Sequence, residues 1–298
     1  MDNRIPVDEE VSRAWVAVAH GARTTNRMLD RLGEPAPDSI FAQVNALYPY
    51  EKASDWHRSY LAAALEHLMV WADIEAPLKF HPEQVVTHYF RPIYTLARAA
   101  MEASSQAVWM TGGKTAQECA RRHLCLIRWD YEEHRKSLSD NKRKGRINEM
   151  DKSLLRRASD AFSEEELRPP SHYTVLRAAA AVMDLNPDQF ERVWRAASGS
   201  AHGKVWPSLA LQHVVPISEY EPGHLRALRV PDPDKITEVL ELAGKMTMYG
   251  VLRHADFVKA DISALIEEAT RWLASVVPFR EDADPDVVAR LKRWETEN

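Results

Sequence analysis

Apolar residues recur every three or four positions along most of the chain, which is the spacing of an amphipathic helix. This pattern predicts a first helix from Asp8 to Leu32, where Gly33 stops it, and then a proline-rich linker, GEPAPDS. A second helix is predicted to begin near Ser54 or Asp55 and to end at Pro77. The N-terminal quarter of the chain is therefore expected to hold two long helices.

The pattern then predicts a long helix over 81–113, kinked or split at Pro92 because proline disrupts a helix interior. The next helix is expected to start at Thr115, which forms a capping box with Glu118. Ser163 and Glu166 repeat this capping pattern. Between the two boxes, the polar, basic stretch 139–157 is predicted to be a surface excursion, or a helix extension frayed at Gly145.

A further helix is predicted to begin at Asn186, with Pro187 in its first helical position. After it, the chain acquires β-branched residues around EPG, which favours a small β-hairpin or an extended loop near 205–231. Asp234 is expected to start the longest helix, through 277, and 278–298 to form a short charged helix or a loose tail.

Together these elements predict an all-α, multi-helix bundle with a small β-hairpin or extended-loop insertion near 205–231. We expect one helical domain over 1–298. Within it, a core of about 85–205 would carry the N-terminal helices 8–76 and the C-terminal long helix 234–277.

Composition adds limits on location and partners. Apolar residues make up 45% of the chain, enough for a full core, and no apolar run is long enough for a membrane span. The start, MDNRIPVDEE, lacks the pattern of a signal peptide, so a cytoplasmic location is expected. Cys119 and Cys125 are predicted to be buried, unbridged thiols. With a net charge of −5, any contact with nucleic acid needs a local basic patch.

The strongest chemical signal is the helix FERVWRAASGSAHGKVW, which carries Arg195 and His202 seven residues apart. Residues at this spacing share one helix face and lie about 10 Å apart along its axis. Gly203 reads as the glycine that ends the helix, and the small residues around Gly199 allow close approach of another helix or subunit. Arginine can clamp a phosphoryl group and histidine can move a proton, so the pair suits metal-free cleavage of RNA.

These residues resemble a known family. RAASGSAH is similar to the R-x(4–6)-H motif of the HEPN superfamily, helical domains that include metal-independent endoribonucleases of toxin and phage-defence systems. WRAASGSAHG also resembles a (Tyr/Trp)-x3-Ser-x3-His-Gly segment, with Ser198 as its serine, in a large group of bacterial helical proteins. In that group an upstream helix usually reads R-x3-E, which Arg98 and Glu102 match here. The residue after the arginine departs from the family, being Ala196 where a polar residue is common.

The resemblance implies catalysis by Arg195 and His202, with Arg98, Glu102 and Ser198 in support and no cofactor or metal. It also implies an RNA substrate, a homodimer whose two-fold axis joins two Arg–His faces, and an antitoxin or regulatory protein as a partner. From its residues alone, the Arg98–Glu102 pair would either orient Arg195 or form an ordinary surface ion pair. The strongest basic cluster consists of Lys142, Arg143, Lys144 and Arg146. It would either contact phosphates or lie in a solvated loop between helices.

Two other interpretations remain open at this point. The chain could be a non-catalytic helical scaffold or a ligand-binding protein with the same fold. Alternatively it could be a metal-dependent bundle enzyme, since Asp130 and His134 are one helical turn apart. Other helices could complete such a site, with the candidate ligands Glu66, His67, Glu102 and His123. The paired Glu-x-x-His motifs of diiron bundles are missing, however, so a solvated ion-pair face competes with this reading.

Overall fold

The computed structural model of the chain describes residues 6–78, 85–277, 284–286 and 288–289. It confirms an all-α, multi-helix bundle with one β-hairpin inserted between the helices. The helices before the hairpin are α1 Glu9–Arg31, α2 Ile40–Leu47, α3 Ala53–Glu75, α4 Phe90–Thr111, α5 Ala116–Ser137, α6 Asn141–Ala158, α7 His172–Val182, α8 Pro187–Ala201 and α9 Trp206–Leu211. The hairpin and the helices after it are β1 Gln212–Glu221, β2 His224–Pro231, α10 Pro233–Val258 and α11 Ile262–Val276.

Helix starts follow the capping residues that the sequence displays. Asp8 caps α1 by accepting the amide N–H of Val11 at 2.9 Å. Thr115 caps α5 in the same way, by accepting the N–H of Glu118 at 3.1 Å. A side-chain oxygen in this position satisfies an amide of the first turn that has no partner within the helix.

The core lies where α4 crosses the bundle. This helix packs against α3 and α10 on one side and against α7 and α8 on the other, while α1 packs on α3 and α10. Its buried face includes Ala97, Ala100 and Ala107, which bring neighbouring helices close. α4 therefore connects the N- and C-terminal helices to the helix that carries Arg195. The division of the chain around a core of 85–205 stays a prediction.

The expected helix over 81–113 is shorter in the structure. Residues 81–84 of that prediction lie outside the described residues, and 85–89 are not helical. Because α4 begins at Phe90, Pro92 occupies its first turn, where its missing amide costs no helical hydrogen bond. The predicted kink or split at Pro92 was therefore wrong.

Three other element boundaries also differ from expectation. The linker and the residues after it contain α2, which Ser39 caps and which is too short for periodicity to reveal. The stretch 139–157 forms a helix of its own, because Asp140 caps α6 and the helix continues through the exposed Gly145 without fraying. The long helix predicted over 234–277 breaks at Lys259, which has a left-handed backbone (φ 64°), before Asp261 caps α11.

The insertion after α9 is an antiparallel hairpin in which Gln212 pairs with Pro231 and Glu221 with His224. Most of its side chains are exposed, so it adds little to the core. The predicted C-terminal helix or tail lies largely outside the described residues. No described helix is long and apolar enough to cross a membrane.

Candidate functional site: the α8 seam

Both ends of α8 follow from local chemistry. Asn186 accepts the N–H groups of Asp188 and Gln189, and Pro187 occupies the first turn. At the other end, Gly203 has φ +70° and donates to the carbonyl of Ser200 at 3.0 Å, while Lys204 donates to that of Gly199 at 2.9 Å. This pair of bonds is a Schellman motif with glycine in its left-handed position. The predicted start and end of the helix are confirmed.

Arg195 is exposed on α8, but its guanidinium already has a partner. Its Nε donates to Oε1 of Glu191 at 2.7 Å, one turn toward the helix start. Glu191 also accepts from Arg177 at 2.7 Å, and the bond from Arg195 holds the pKa of Glu191 below its ordinary value. The guanidinium also lies 5.8 Å from the ring centre of Tyr173. In this conformation the Arg195 side chain is directed away from His202.

His202 is the residue that closes α8, one position beyond the last helical residue. Its backbone N–H donates to the carbonyl of Ser198 at 3.1 Å, and the residue as a whole is exposed. Arg91, at the start of α4, reaches the same helix end. Its Nη1 lies 3.4 Å from the carbonyl oxygen of Ser200 and 3.5 Å from where a Cβ on Gly203 would be. Sequence reasoning missed Arg91, although it precedes Arg98 by two helical turns.

Arg98 and Glu102 form an ion pair on α4, with Nε of Arg98 donating to Oε1 of Glu102 at 3.0 Å. The same carboxylate oxygen accepts the indole N–H of Trp194 at 2.7 Å. The pair therefore orients Trp194 and not Arg195, which corrects the positioning role first weighed for it. Because Trp194 immediately precedes Arg195, this contact still ties α4 to the motif helix.

We refer to Arg91, Arg195, His202 and Lys204 as the α8 seam, four exposed, basic residues on α8, at its C-terminal end and at the start of α4. Arg91 and His202 lie at one end of it, and Arg195 lies two helical turns away.

The small residues of the motif serve packing within the chain. A Cβ on Gly199 would lie 2.7 Å from Cγ of Pro207 and 3.0 Å from the ring of Trp206. The close approach predicted for Gly199 is therefore made by α9. Ser198 is half-buried and contributes its carbonyl to the end of the helix.

The predicted basic cluster lies on a different helix. Lys142, Arg143, Lys144 and Arg146 fall in the first turns of α6, which packs chiefly against α5. Lys142, Arg143 and Arg146 are exposed, and Arg143 lies 3.8 Å from Asp140. This cluster therefore lies on a different helix from the residues of the α8 seam. Its role in binding nucleic acid stays a prediction.

The residues considered for a metal site do not converge. His123 is buried and its Nε2 contacts the carbonyl of Glu51 at 2.9 Å, while Glu102 is engaged by Trp194 and Arg98. Asp130 and His134 are exposed on α5. Within the described ranges, no group of three or more His, Cys, Asp or Glu residues could hold a metal ion. Cys119 and Cys125 are buried, free thiols, as predicted.

Comparison with known proteins gives no relative on which to draw. No protein-family model matches the chain, and neither the curated proteins nor the solved structures contain a significant match.

Proposed function

We propose that the protein binds RNA across the α8 seam and cleaves it without a metal ion, as the resemblance of the motif to HEPN ribonucleases implies. The observation that carries the proposal is the exposure of His202 at the end of α8, which the guanidinium of Arg91 also reaches through the carbonyl of Ser200. A basic, solvent-accessible strip of this kind suits a phosphodiester backbone.

Arg91 would take the role beside His202 that the resemblance implies for Arg195, so that Arg91 and His202 act on one phosphate and Arg195 contacts another. This assignment accounts for the direction of the Arg195 side chain, whose bond to Glu191 holds it one turn toward the helix start. The bond is exposed, so exchanging the carboxylate for a phosphate oxygen requires little free energy. Glu102 supports the seam indirectly, by fixing Trp194 on α8.

The chemistry would be a transesterification. The ribose 2′-hydroxyl attacks the adjacent phosphorus, and the bond from phosphorus to the 5′ oxygen breaks. His202 takes the proton of the 2′-hydroxyl, and His202 of the partner subunit protonates the departing 5′ oxygen. Arg91 offsets the negative charge that develops on the phosphorane.

A homodimer is part of this proposal. Val205, Trp206 and Leu209 are exposed apolar residues that lie shortly after His202 in the chain. Their burial against a second copy would bring two His202 side chains to one groove. In sedimentation experiments we expect a dimer, and Leu209→Glu should yield a monomer that no longer cleaves RNA. A monomer of the unaltered protein that cleaves RNA would contradict this arrangement.

The direct test is incubation of labelled single-stranded RNA with the protein in EDTA. We expect cleavage with 2′,3′-cyclic phosphate ends, and we expect His202→Ala to slow it by about 100-fold or more, the usual contribution of a proton-transfer group. His134→Ala is the matched control, because His134 is also exposed but lies on α5. Equal rates for the His202 and His134 variants would refute the catalytic assignment.

Binding is tested separately from cleavage. Arg195→Ala and Arg192→Ala form a matched pair, because both arginines are about half-exposed on α8 and each pairs with a glutamate. We expect Arg195→Ala to weaken RNA binding and to lower the salt dependence by about one phosphate contact, with Arg192→Ala close to wild type. Salt-dependent binding without cleavage would favour the non-catalytic reading of the fold. Absence of binding would reject an RNA function altogether.

A further inference from the structure

A second feature, lined by none of the α8 seam residues, is an open cavity of about 930 Å³. Its walls come from the start of α1, the end of α3, the chain before α4, the strand β2 and the start of α10. A volume of this size accommodates a small organic molecule. The lining is largely apolar and includes Val16, Ile93 and Ile236, with the aromatic residues Trp15 and Phe90.

Two polar residues in this wall lack hydrogen-bond partners. The Glu75 side chain, at the end of α3, is only 5% exposed, and its Oε2 makes no hydrogen bond to a described residue. Nε2 of His88 lies 3.0 Å from that oxygen, but the contact does not meet hydrogen-bond geometry. Nδ1 of His88 is also enclosed without a partner. Buried polar groups are usually satisfied, so these two atoms in one cavity wall are available to hydrogen-bond a molecule that enters the cavity.

The charged residues that line the cavity indicate which charge a bound molecule would carry. Among the described residues that line the cavity, Glu75 is the one carboxylate. Arg229, the one arginine among them, is exposed and donates to Ser208 at 2.8 Å. Apart from His88, which pairs with it only when protonated, the buried carboxylate has no cationic partner in the cavity wall. The aromatic rings of Trp15 and Phe90, which can attract cations, line the same cavity.

We propose that this cavity binds a small, apolar molecule that carries a protonated amine, with Glu75 as the counter-ion of the amine and His88 as its hydrogen-bond partner. The proposal is independent of RNA cleavage, because the cavity is built without α8. It gives specific content to the alternative reading of the chain as a ligand-binding protein.

The protonation behaviour of the pair is consistent with this assignment. Burial raises the pKa of Glu75 to about 7, and burial also lowers the pKa of His88. Near neutral pH Glu75 is therefore partly ionised, and His88 is mostly neutral and does not balance its negative charge. An ammonium group would supply the positive counter-charge for ionised Glu75.

Three probes with one alkyl chain and different head groups test the proposal: decylamine, decanol and decanoate. Each is titrated below its micelle-forming concentration, with binding followed by calorimetry and by tryptophan fluorescence, since Trp15 lines the cavity. We expect decylamine to bind at least about tenfold more tightly than decanol, because its charge pairs with a buried carboxylate, and decanoate to bind most weakly.

Glu75→Gln should remove the advantage of the amine over the alcohol and leave decanol binding unchanged. Glu66→Gln is the matched control, because Glu66 lies on the same helix but is exposed and outside the cavity wall. Equal or tighter binding of decanoate, absence of binding by all three probes, or an amine preference that survives Glu75→Gln would overturn the proposal. The head-group comparison on the unaltered protein decides it even if the Glu75 variant does not fold.

Discussion

The buried side chain of His123 should make the free energy of unfolding depend on pH. Nε2 of His123 lies 2.9 Å from the carbonyl oxygen of Glu51, which can only accept, so this nitrogen carries the proton. Nδ1 is buried without a hydrogen-bond partner, and the ring packs edge-on against Trp56. Protonation would add a second N–H where no acceptor lies. Burial accordingly lowers the pKa of His123 to about 4 from an ordinary value of 6.5.

The sign and size of the effect follow from proton linkage. Between pH 6.5 and 4 the unfolded chain binds this proton and the folded chain does not, so acid favours unfolding. The stability is fully present above pH 6.5 and declines as the pH falls toward 4. One pKa unit corresponds to about 1.4 kcal/mol, so the loss through His123 is about 2 kcal/mol at pH 5 and about 3 kcal/mol when complete.

His123→Gln isolates this contribution, because a glutamine amide can still donate to the Glu51 carbonyl but does not titrate. Urea unfolding at pH 8 and pH 5 gives the loss of unfolding free energy for each protein. We expect the wild type to lose about 2 kcal/mol more than the variant. A change in the variant's stability at pH 8 does not affect this comparison, because only the loss of unfolding free energy between pH 8 and pH 5 is compared.

His134→Gln is the control, because His134 lies on the same helix but is exposed. It should lose as much stability as the wild type. Burial also lowers the pKa of His57 and of His254, whose Nδ1 atoms lie 3.0 Å apart, so the wild type retains other acid-sensitive groups. An identical pH dependence for His123→Gln and wild type would refute the reasoning.

Three further predictions concern the packing around α8. Gly199→Ala should lower stability by about 1–2 kcal/mol, because the new Cβ would meet Pro207. Gly21 is also helical but has open space around it, so Gly21→Ala should raise stability by up to about 1 kcal/mol. Thermal unfolding of the two variants compares these effects. Gly203→Ala should cost about 1 kcal/mol through its left-handed backbone, measured by the same assay, and an unchanged melting temperature would contradict the assigned helix end. Glu102→Gln should cost about 1 kcal/mol and shift tryptophan fluorescence, since it weakens the bond to Trp194; an unchanged spectrum would count against that contact.

Some expectations about α8 came directly from neighbouring residues. Asn186 and Gly203 predict where the helix starts and ends, and both ends are confirmed. Gly199 signals a close approach, but only the structure shows that α9 makes it. A helix end depends on hydrogen bonds within a few residues, whereas the identity of a packing partner depends on how distant segments arrange in space.

The position of Arg91 illustrates what sequence patterns leave open. It reaches the end of α8 from a residue 109 positions earlier in the chain, and nothing in the spacing of either helix announces this contact. The orientation of Glu102 toward Trp194 instead of Arg195 is similar, because neighbouring residues on α8 differ only by a rotation about the helix axis. Short-range patterns do not specify that rotation relative to another helix.

By itself, the sequence determined the all-α class, the place of the insertion and the starts of α1, α3, α5, α8 and α10, because capping and amphipathic periodicity act over one or two turns. Only the tertiary structure decided that Arg91 reaches the end of α8, that Arg195 pairs with Glu191, and that Glu75 and His88 share a cavity wall. These are contacts between side chains whose directions depend on how helices pack. Packing is decided by the whole core at once, so no short stretch of sequence encodes it.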